Sequence, residues 1–254
     1  MQPSARRWAD RLGHHLADVL AWWLPPECLL CLTAVPTREG DALICASCRR
    51  KWRPVAPPWC PRCGETLEGG GVTGGREDCS PCRDWGPALA SVRSAVWLER
   101  GAREAVHHLK YGGWKRAVEA MAATMTGLEP LAAGAGLVPV PLGPRRRRAR
   151  GYNQAELLAS RLADVTGLQV LPGLLARVRD TPTQTKLTPG ARRANVHGAF
   201  ALRGPLPAGP LVLVDDVFTT GATLLAAAEA LREAGAPRVE AVTFARGTGP
   251  LPRT

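Results

Sequence analysis

Eight cysteines fall in four C-x-x-C pairs, Cys28/Cys31, Cys45/Cys48, Cys60/Cys63 and Cys79/Cys82, with none left over. Each pair presents two thiolates from one tight turn, and two such pairs complete a tetrahedral zinc site. The segment that holds them is poor in large apolar residues, and a stretch of only about 58 residues cannot easily build a core alone. A structural zinc ion held by four thiolates supplies roughly 10–16 kcal/mol of apparent folding free energy, enough to order such a ribbon. The spacing therefore predicts two Zn2+ ions. The order along the chain favours Cys28, Cys31, Cys45 and Cys48 as one set and Cys60, Cys63, Cys79 and Cys82 as the other. A cross-braced arrangement, taking alternate pairs, is also open. Four thiolates per ion leave no vacant position, so the metal is read as structural and not catalytic. Gly69 to Gly75 reads as a flexible loop within this segment.

Cysteines are free to bind metal where disulfides do not form, so the compartment matters. The first residues do not form a secretory signal, because Asp10, Arg11, His14, His15 and Asp18 interrupt the apolar run before Pro25. No stretch reaches the roughly 18 apolar residues of a membrane span. A cytoplasmic protein is expected. Residues 4–24 carry Trp8, Leu12, Leu16, Val19, Leu20 and Trp23 at helical spacing, and Pro25-Pro26 stops the pattern. An amphipathic N-terminal helix is expected over 1–27, its apolar stripe packing on the protein's own body.

Charge divides the chain. Up to Trp85 there are 11 Lys/Arg against 10 Asp/Glu, whereas from Gly86 there are 22 against 12. The excess therefore sits after the cysteines, where it favours an anionic partner such as a nucleotide, a sugar phosphate or a nucleic acid. Three Phe and two Tyr stand beside eight Trp, and an aromatic share of only 5% argues against a broad aromatic platform for stacking bases.

From about Ser91 the texture becomes an alternation of strands and helices. Ser94–Leu98, Leu137–Val140, Gly198–Leu202, Leu211–Val214 and Val239–Phe244 read as strands. Ala102–Leu109, Lys115–Met125, Asn153–Val165 and Ala222–Ala234 read as helices, with Gly167 and Gly235 as stops. Such alternation predicts an α/β fold with a mainly parallel sheet covered on both faces. The expected organisation is a cysteine-rich zinc module over 28–86 followed by one α/β domain over 90–254.

The most informative run in that domain is Leu211 to Thr223. Four apolar residues form a buried strand, and Asp215 and Asp216 follow at its carboxyl end, where ligands of open α/β sheets bind. Adjacent carboxylates can accept hydrogen bonds from a vicinal diol. Thr219, Thr220, Gly221, Ala222 and Thr223 then lead into a helix. Hydroxyls, a glycine turn and free N–H groups at a helix start suit a phosphate. A diol beside a phosphate is what a ribose 5-phosphate presents.

This run resembles the signature that binds phosphoribosyl pyrophosphate in type I phosphoribosyltransferases. Further matches are Pro25-Pro26, Cys28 and Cys31, then Leu109-Lys110-Tyr111 and Val138-Pro139-Val140-Pro141-Leu142. These are followed by Arg150-Gly151-Tyr152-Asn153-Gln154-Ala155, Thr181 with Gln184-Thr185, Arg192-Arg193 with Asn195-Val196, and Gly198 with Phe200. In this order they resemble the ComF family, which joins a double zinc ribbon to a phosphoribosyltransferase domain and is linked to DNA uptake in natural transformation.

The resemblance implies that Asp215 and Asp216 bind the ribose hydroxyls and that residues Thr219 to Thr223 bind the 5-phosphate. It implies that the turn at Pro141 and Leu142 approaches the pyrophosphate together with Mg2+. Thr181 to Asn195 would be a loop closing over the ligand, with Gln184 and Arg192 facing inward. The position where purine-salvage relatives often carry an Asp as general base is Thr219, which cannot take a proton at neutral pH. Ligand binding is untouched by that change.

Arg145, Arg146, Arg147, Arg148 and Arg150 read as a basic turn at the mouth of this site. They could clamp pyrophosphate, track a nucleic-acid backbone, or be a solvated turn. The resemblance favours single-stranded DNA, and implies protein partners within a DNA-uptake machinery. The alternative is a metabolic phosphoribosyltransferase releasing pyrophosphate with an unidentified acceptor. A further reading is a sensor of the ligand, with the zinc module contacting a protein partner.

Overall fold

The computed structural model describes residues 26–35, 43–67, 79–131, 135–179 and 198–247. The expected N-terminal helix, the Gly69 to Gly75 loop, and the Thr181 to Asn195 loop with Gln184 and Arg192 lie outside the described residues. The helices are α1 (Ala46–Arg50), α2 (Arg100–Tyr111), α3 (Ala117–Met125), α4 (Pro144–Arg150), α5 (Gln154–Thr166) and α6 (Ala222–Glu233). The strands are β1 (Val92–Trp97), β2 (Gly136–Pro139), β3 (Gln169–Val170), β4 (Leu175–Arg177), β5 (Phe200–Leu202), β6 (Leu211–Phe218) and β7 (Val239–Arg246).

Five strands form one sheet in the order β1-β7-β6-β2-β3, all neighbours parallel. β4 and β5 form a separate antiparallel pair. The mainly parallel α/β sheet expected from the alternation is therefore present. After β2 the chain crosses outward to β3, whereas after β6 it crosses the other way to β7. Because β2 and β6 are neighbours, the crevice between their carboxyl ends is a topological switch point, the usual ligand position in such sheets.

The strands are apolar on both faces because both faces are covered. In β6, Val212 and Val214 enter one core with α2, α3 and α5, while Leu211 and Leu213 enter a second core with α6. That split is the period-two alternation of a strand. The cysteine segment takes part in both cores. Cys28, Cys48, Ile44 and Trp52 belong to the first, where Trp52 meets Phe244 edge-on at 4.9 Å. Cys60, Cys63, Cys82 and Trp85 belong to the second.

Between the two knuckles the chain runs along the exposed edge of the sheet. Val55 N–H donates to Ala95 O (3.1 Å), Trp97 N–H to Arg53 O (2.9 Å) and Val92 N–H to Arg62 O (2.7 Å). The pairing opposite Val96 is antiparallel. The ribbon thus caps an edge strand that would otherwise present unpaired amides, and it grips the sheet from both sides.

Local chemistry sets the helix limits around the switch point. Pro144 occupies the first turn of α4, and Gly151 ends it with φ +77°. Asn153 caps α5 by accepting from Ala155 N–H at 3.1 Å, and Gly167 closes it at φ +72°. Two expectations need correction. The strand expected to stop at Val214 continues to Phe218, because β7 runs beside it as far as Arg246. Asp215 and Asp216 therefore sit inside the end of β6, not after it. The arginine run is a short helix, not a turn. Among the described residues no helix is long and apolar enough to cross a membrane.

Candidate functional site

The carboxyl ends of β2 and β6 gather Lys110, Gln154 and Arg150 around the acidic pair. Asp216 is 3 % exposed. Its carboxylate receives Lys110 Nζ at 2.6 Å and Gln154 Nε2 at 3.4 Å. Asp215 is partly exposed beside it, and its Oδ1 accepts from the Asp216 N–H at 2.8 Å. Arg150 donates to Gln154 Oε1, so the arginine helix connects to the acidic pair through one amide.

The segment from Arg150 to Gln154 organises this cluster. Asn153 donates from Nδ2 to Val140 O at 3.0 Å while capping α5, which fixes the end of β2 to the start of α5. The Tyr152 hydroxyl donates to Leu109 O, tying the end of α2 to the same place and delivering Lys110 to Asp216. Pro141 and Leu142 follow directly, since Val140 N–H pairs with Val214 O at 3.0 Å, one residue before Asp215.

The two carboxyls differ electrostatically. For Asp216, burial opposes ionisation, but the Lys110 ammonium outweighs it and holds the carboxyl below its usual range. Lys110 is likewise opposed by burial and held charged by Asp216. For Asp215, burial and the neighbouring Asp216 push the carboxyl up to about 8. The pair is thus electrostatically unequal, with ionisation favoured at Asp216 and opposed at Asp215.

Next in the chain, Thr219 is exposed and Thr220 and Thr223 are partly so. Gly221 adopts φ +76° as the N-cap of α6, and no side chain caps this helix. A threonine cap, the ordinary alternative at a strand–helix junction, is therefore not used. The first N–H groups of α6 have no intrahelical acceptor and stand at the positive end of the helix dipole, where an anion is favoured.

The five arginines do not act as one group. Arg147 pairs with Glu156 at 2.6 Å. Arg150 turns inward to Gln154 and lies 5.5 Å from the Tyr111 ring centroid. Arg145 and Arg148 are exposed one helical turn apart. Sequence alone assigns no role to Lys110 or Gln154, which both contact Asp216. A charged residue just past an apolar helix face, and a glutamine after a capping asparagine, are signals too weak to have found them.

The cysteines gather in the sequential sets. The ligand atoms of Cys28, Cys31, Cys45 and Cys48 all lie within 4.8 Å of one another, and so do those of Cys60, Cys63, Cys79 and Cys82. Sulfur–sulfur separations are 3.8 Å for Cys31/Cys45, 3.7 Å for Cys60/Cys82 and 3.5 Å for Cys63/Cys79. A zinc–sulfur bond of about 2.3 Å gives a tetrahedral edge of about 3.8 Å, so both sets fit zinc. Burial and neighbouring sulfurs push the Cys48 and Cys63 thiols up, and Cys82 to about 12. A cation at the centre of each set would let all four thiols ionise together, and zinc suits that role.

A double zinc ribbon domain model matches residues 19–84, and a phosphoribosyl transferase domain model matches residues 149–252. With the parallel sheet and the two four-cysteine sites, these define a phosphoribosyltransferase-fold protein carrying a double zinc ribbon. The chain is 31% identical over 225 residues to DNA utilization protein YhgH of Escherichia coli K12, covering 85% of this chain and 95% of that protein. It is 28% identical over 220 residues to Competence protein ComFC of Bacillus subtilis, covering 82% and 86%. It is 38% identical over 113 residues to Competence protein F of Haemophilus influenzae, covering 43% and 49%. The chain belongs to the ComF family.

Proposed function

We propose that this ComF-family chain binds phosphoribosyl pyrophosphate with Mg2+ at the switch point, binds single-stranded DNA through the arginine helix, and serves DNA uptake. The observation that carries the first part is the sequence of groups along one crevice. Asp215 and Asp216 end β6, and Gly221 then turns the chain into an uncapped helix start. Carboxylates for a diol lie next to N–H groups for a phosphate. In this reading Asp215 and Asp216 accept from the ribose hydroxyls. Residues Thr219, Thr220, Gly221, Ala222 and Thr223 hold the 5-phosphate. Pro141 and Leu142 face the pyrophosphate, whose charge Mg2+ neutralises, and Gln184 and Arg192 close over it.

DNA binding is supported by the +10 balance after Trp85, by the exposed Arg145 and Arg148, and by the names of the relatives, which refer to DNA utilization and competence. Arg146 adds charge to the same helix, whereas Arg147 and Arg150 contribute theirs while engaged with Glu156 and Gln154. A cytoplasmic location follows from this role. Zinc serves the fold, since four thiolates per site leave no coordination position for a substrate.

Isothermal titration with phosphoribosyl pyrophosphate and Mg2+ tests the first half. Binding in the wild type, lost in D215N/D216N, is expected. No heat with the wild type would end that half. Fluorescence anisotropy with a labelled single strand tests the second. Affinity should fall steeply with salt, and R145Q/R148Q should flatten that slope. An unchanged slope would remove the arginine helix from the interface.

A further inference from the structure

Aromatic rings in this chain are nearly all inside. Among the described residues Trp52, Trp85, Trp97, Phe200, Phe218 and Phe244 are buried, and Trp59 and Tyr152 are partly covered. Tyr111 and Trp114 are the exceptions, with 72% and 45% of their surface in water. They occur within four residues, at the end of α2 and in the turn after it. A lone exposed ring needs no explanation. Two in one turn, set among cations, call for one.

The surroundings are basic. The Arg150 guanidinium lies 5.5 Å from the Tyr111 ring centroid, and Lys115 Nζ lies 5.1 Å from the Tyr152 centroid. Arg116 is exposed next to Lys115. Lys110 is instead engaged with Asp216. Gly112 and Gly113 make the turn possible. Gly113 has φ +71°, and a Cβ on Gly112 would stand 2.6 Å from Trp114 Cδ1, so the indole folds back over the bare backbone. The turn therefore presents two rings, of which Tyr111 stands beside Arg150 at the end of α4.

Cationic side chains beside exposed rings match a single-stranded nucleic acid, whose phosphates take the cations and whose unpaired bases take the rings. We propose that Tyr111 and Trp114 are a two-ring stacking platform for unpaired nucleobases, continuing the phosphate track of α4. This rests on the DNA-binding reading above and adds the base contact to it. Such a platform is small, in keeping with the low Tyr and Phe count, and it is indifferent to sequence because every base has a π-face.

The test uses the full, zinc-loaded chain with two labelled probes, an oligothymidylate and an abasic phosphodiester strand of equal length. Y111A and W114A change exposed residues and leave the fold intact, which thermal melting checks. Stacking worth 1–3 kcal/mol per base corresponds to roughly 5- to 150-fold, so each variant should weaken oligothymidylate binding by about tenfold. Abasic binding and the salt slope should not move, and W114F should recover most of the loss. R145Q/R148Q should weaken both probes alike. Unchanged oligothymidylate affinity in Y111A and W114A, with wild-type binding intact, overturns the platform and leaves the DNA-binding reading standing. Equal loss on both probes overturns it too, because the rings would then act only through the arginines. A wild type that binds neither probe defeats both.

Discussion

Trp85, three residues beyond the last cysteine, lies against Gly221, the residue that turns β6 into α6. A Cβ on Gly221 would stand 2.8 Å from Trp85 Cζ2 and 3.1 Å from Phe218 Cε2, with φ already at +76°. The second zinc knuckle thus forms the floor of the proposed phosphate loop. Arg246 reinforces it, donating to Cys63 O at 2.6 Å, pairing with Glu65 and lying 4.6 Å from the Phe218 ring centroid. G221A adds both a clash and a left-handed backbone penalty, so it should cost about 2–4 kcal/mol in chemical denaturation. W85A should cost about 3 kcal/mol through the cavity it leaves. It should also weaken phosphoribosyl pyrophosphate binding although Trp85 belongs to the cysteine segment. Ligand affinity unchanged in W85A would show that the floor does not hold the loop.

Zinc removal should be felt on both faces of the sheet. Cys28 and Cys48 belong to one core, and Cys60, Cys63 and Cys82 to the other. Mercurial titration of the thiols should release two zinc equivalents per chain into a chromogenic chelator. C48S and C63S should each release one. Both variants should melt well below the wild type. Of the two, C63S should loosen the phosphate loop more, through Arg246 and Trp85. Hydrogen exchange at the start of α6 reads this directly, and equal protection in the two variants would contradict it.

The parallel sheet and the acidic loop were legible because they are local. Leu211 to Val214 is an apolar run, and the pattern Asp215 to Thr223 is contiguous. The four C-x-x-C pairs are local too, but their sequence leaves the cross-braced pairing open, and the sequential sets emerge from the structure. What the sequence hid depends on topology. Asp215 and Asp216 lie within β6 because β7 extends beside them, and no residue near Val214 announces that. Lys110 reaches Asp216 only because α2 ends over the switch point, held by Tyr152. The cysteine segment reads as a separate module because its apolar residues are sparse. Yet Ile44, Trp52 and Trp85 each complete a core that the sheet begins. The arginine run reads as a turn because charge hides the helix that Pro144 starts and Gly151 stops.

The Lys110–Asp216 pair is a buried ion pair whose lysine keeps some contact with water, at 23% exposure against 4%. Removing one partner strands the other, at a cost of about 3 kcal/mol for K110M, the low end of the range for buried pairs. K110M/D216N should recover a substantial part of that loss, giving a coupling of about 1–3 kcal/mol in a double-mutant cycle. Additive losses would mean that the two groups do not depend on each other.

Asp215 gives the last test, because its raised pKa has a consequence of definite sign. The unfolded carboxyl titrates near its ordinary value of 3.8, whereas the folded one titrates at about 8. Between those values the folded state binds more protons than the unfolded state, so this group's contribution to stability falls as pH rises through the window. D215N carries no such proton. The stability advantage of the wild type over D215N should therefore shrink from about pH 5 to about pH 8. A ligand that needs both carboxylates ionised must also expel the Asp215 proton. Titrations of phosphoribosyl pyrophosphate with Mg2+ near neutral pH, in buffers of different ionisation enthalpy, should report close to one proton released per ligand. Parallel stability profiles for wild type and D215N, or heats independent of the buffer, would show that Asp215 is already ionised and that the two carboxyls are electrostatically alike.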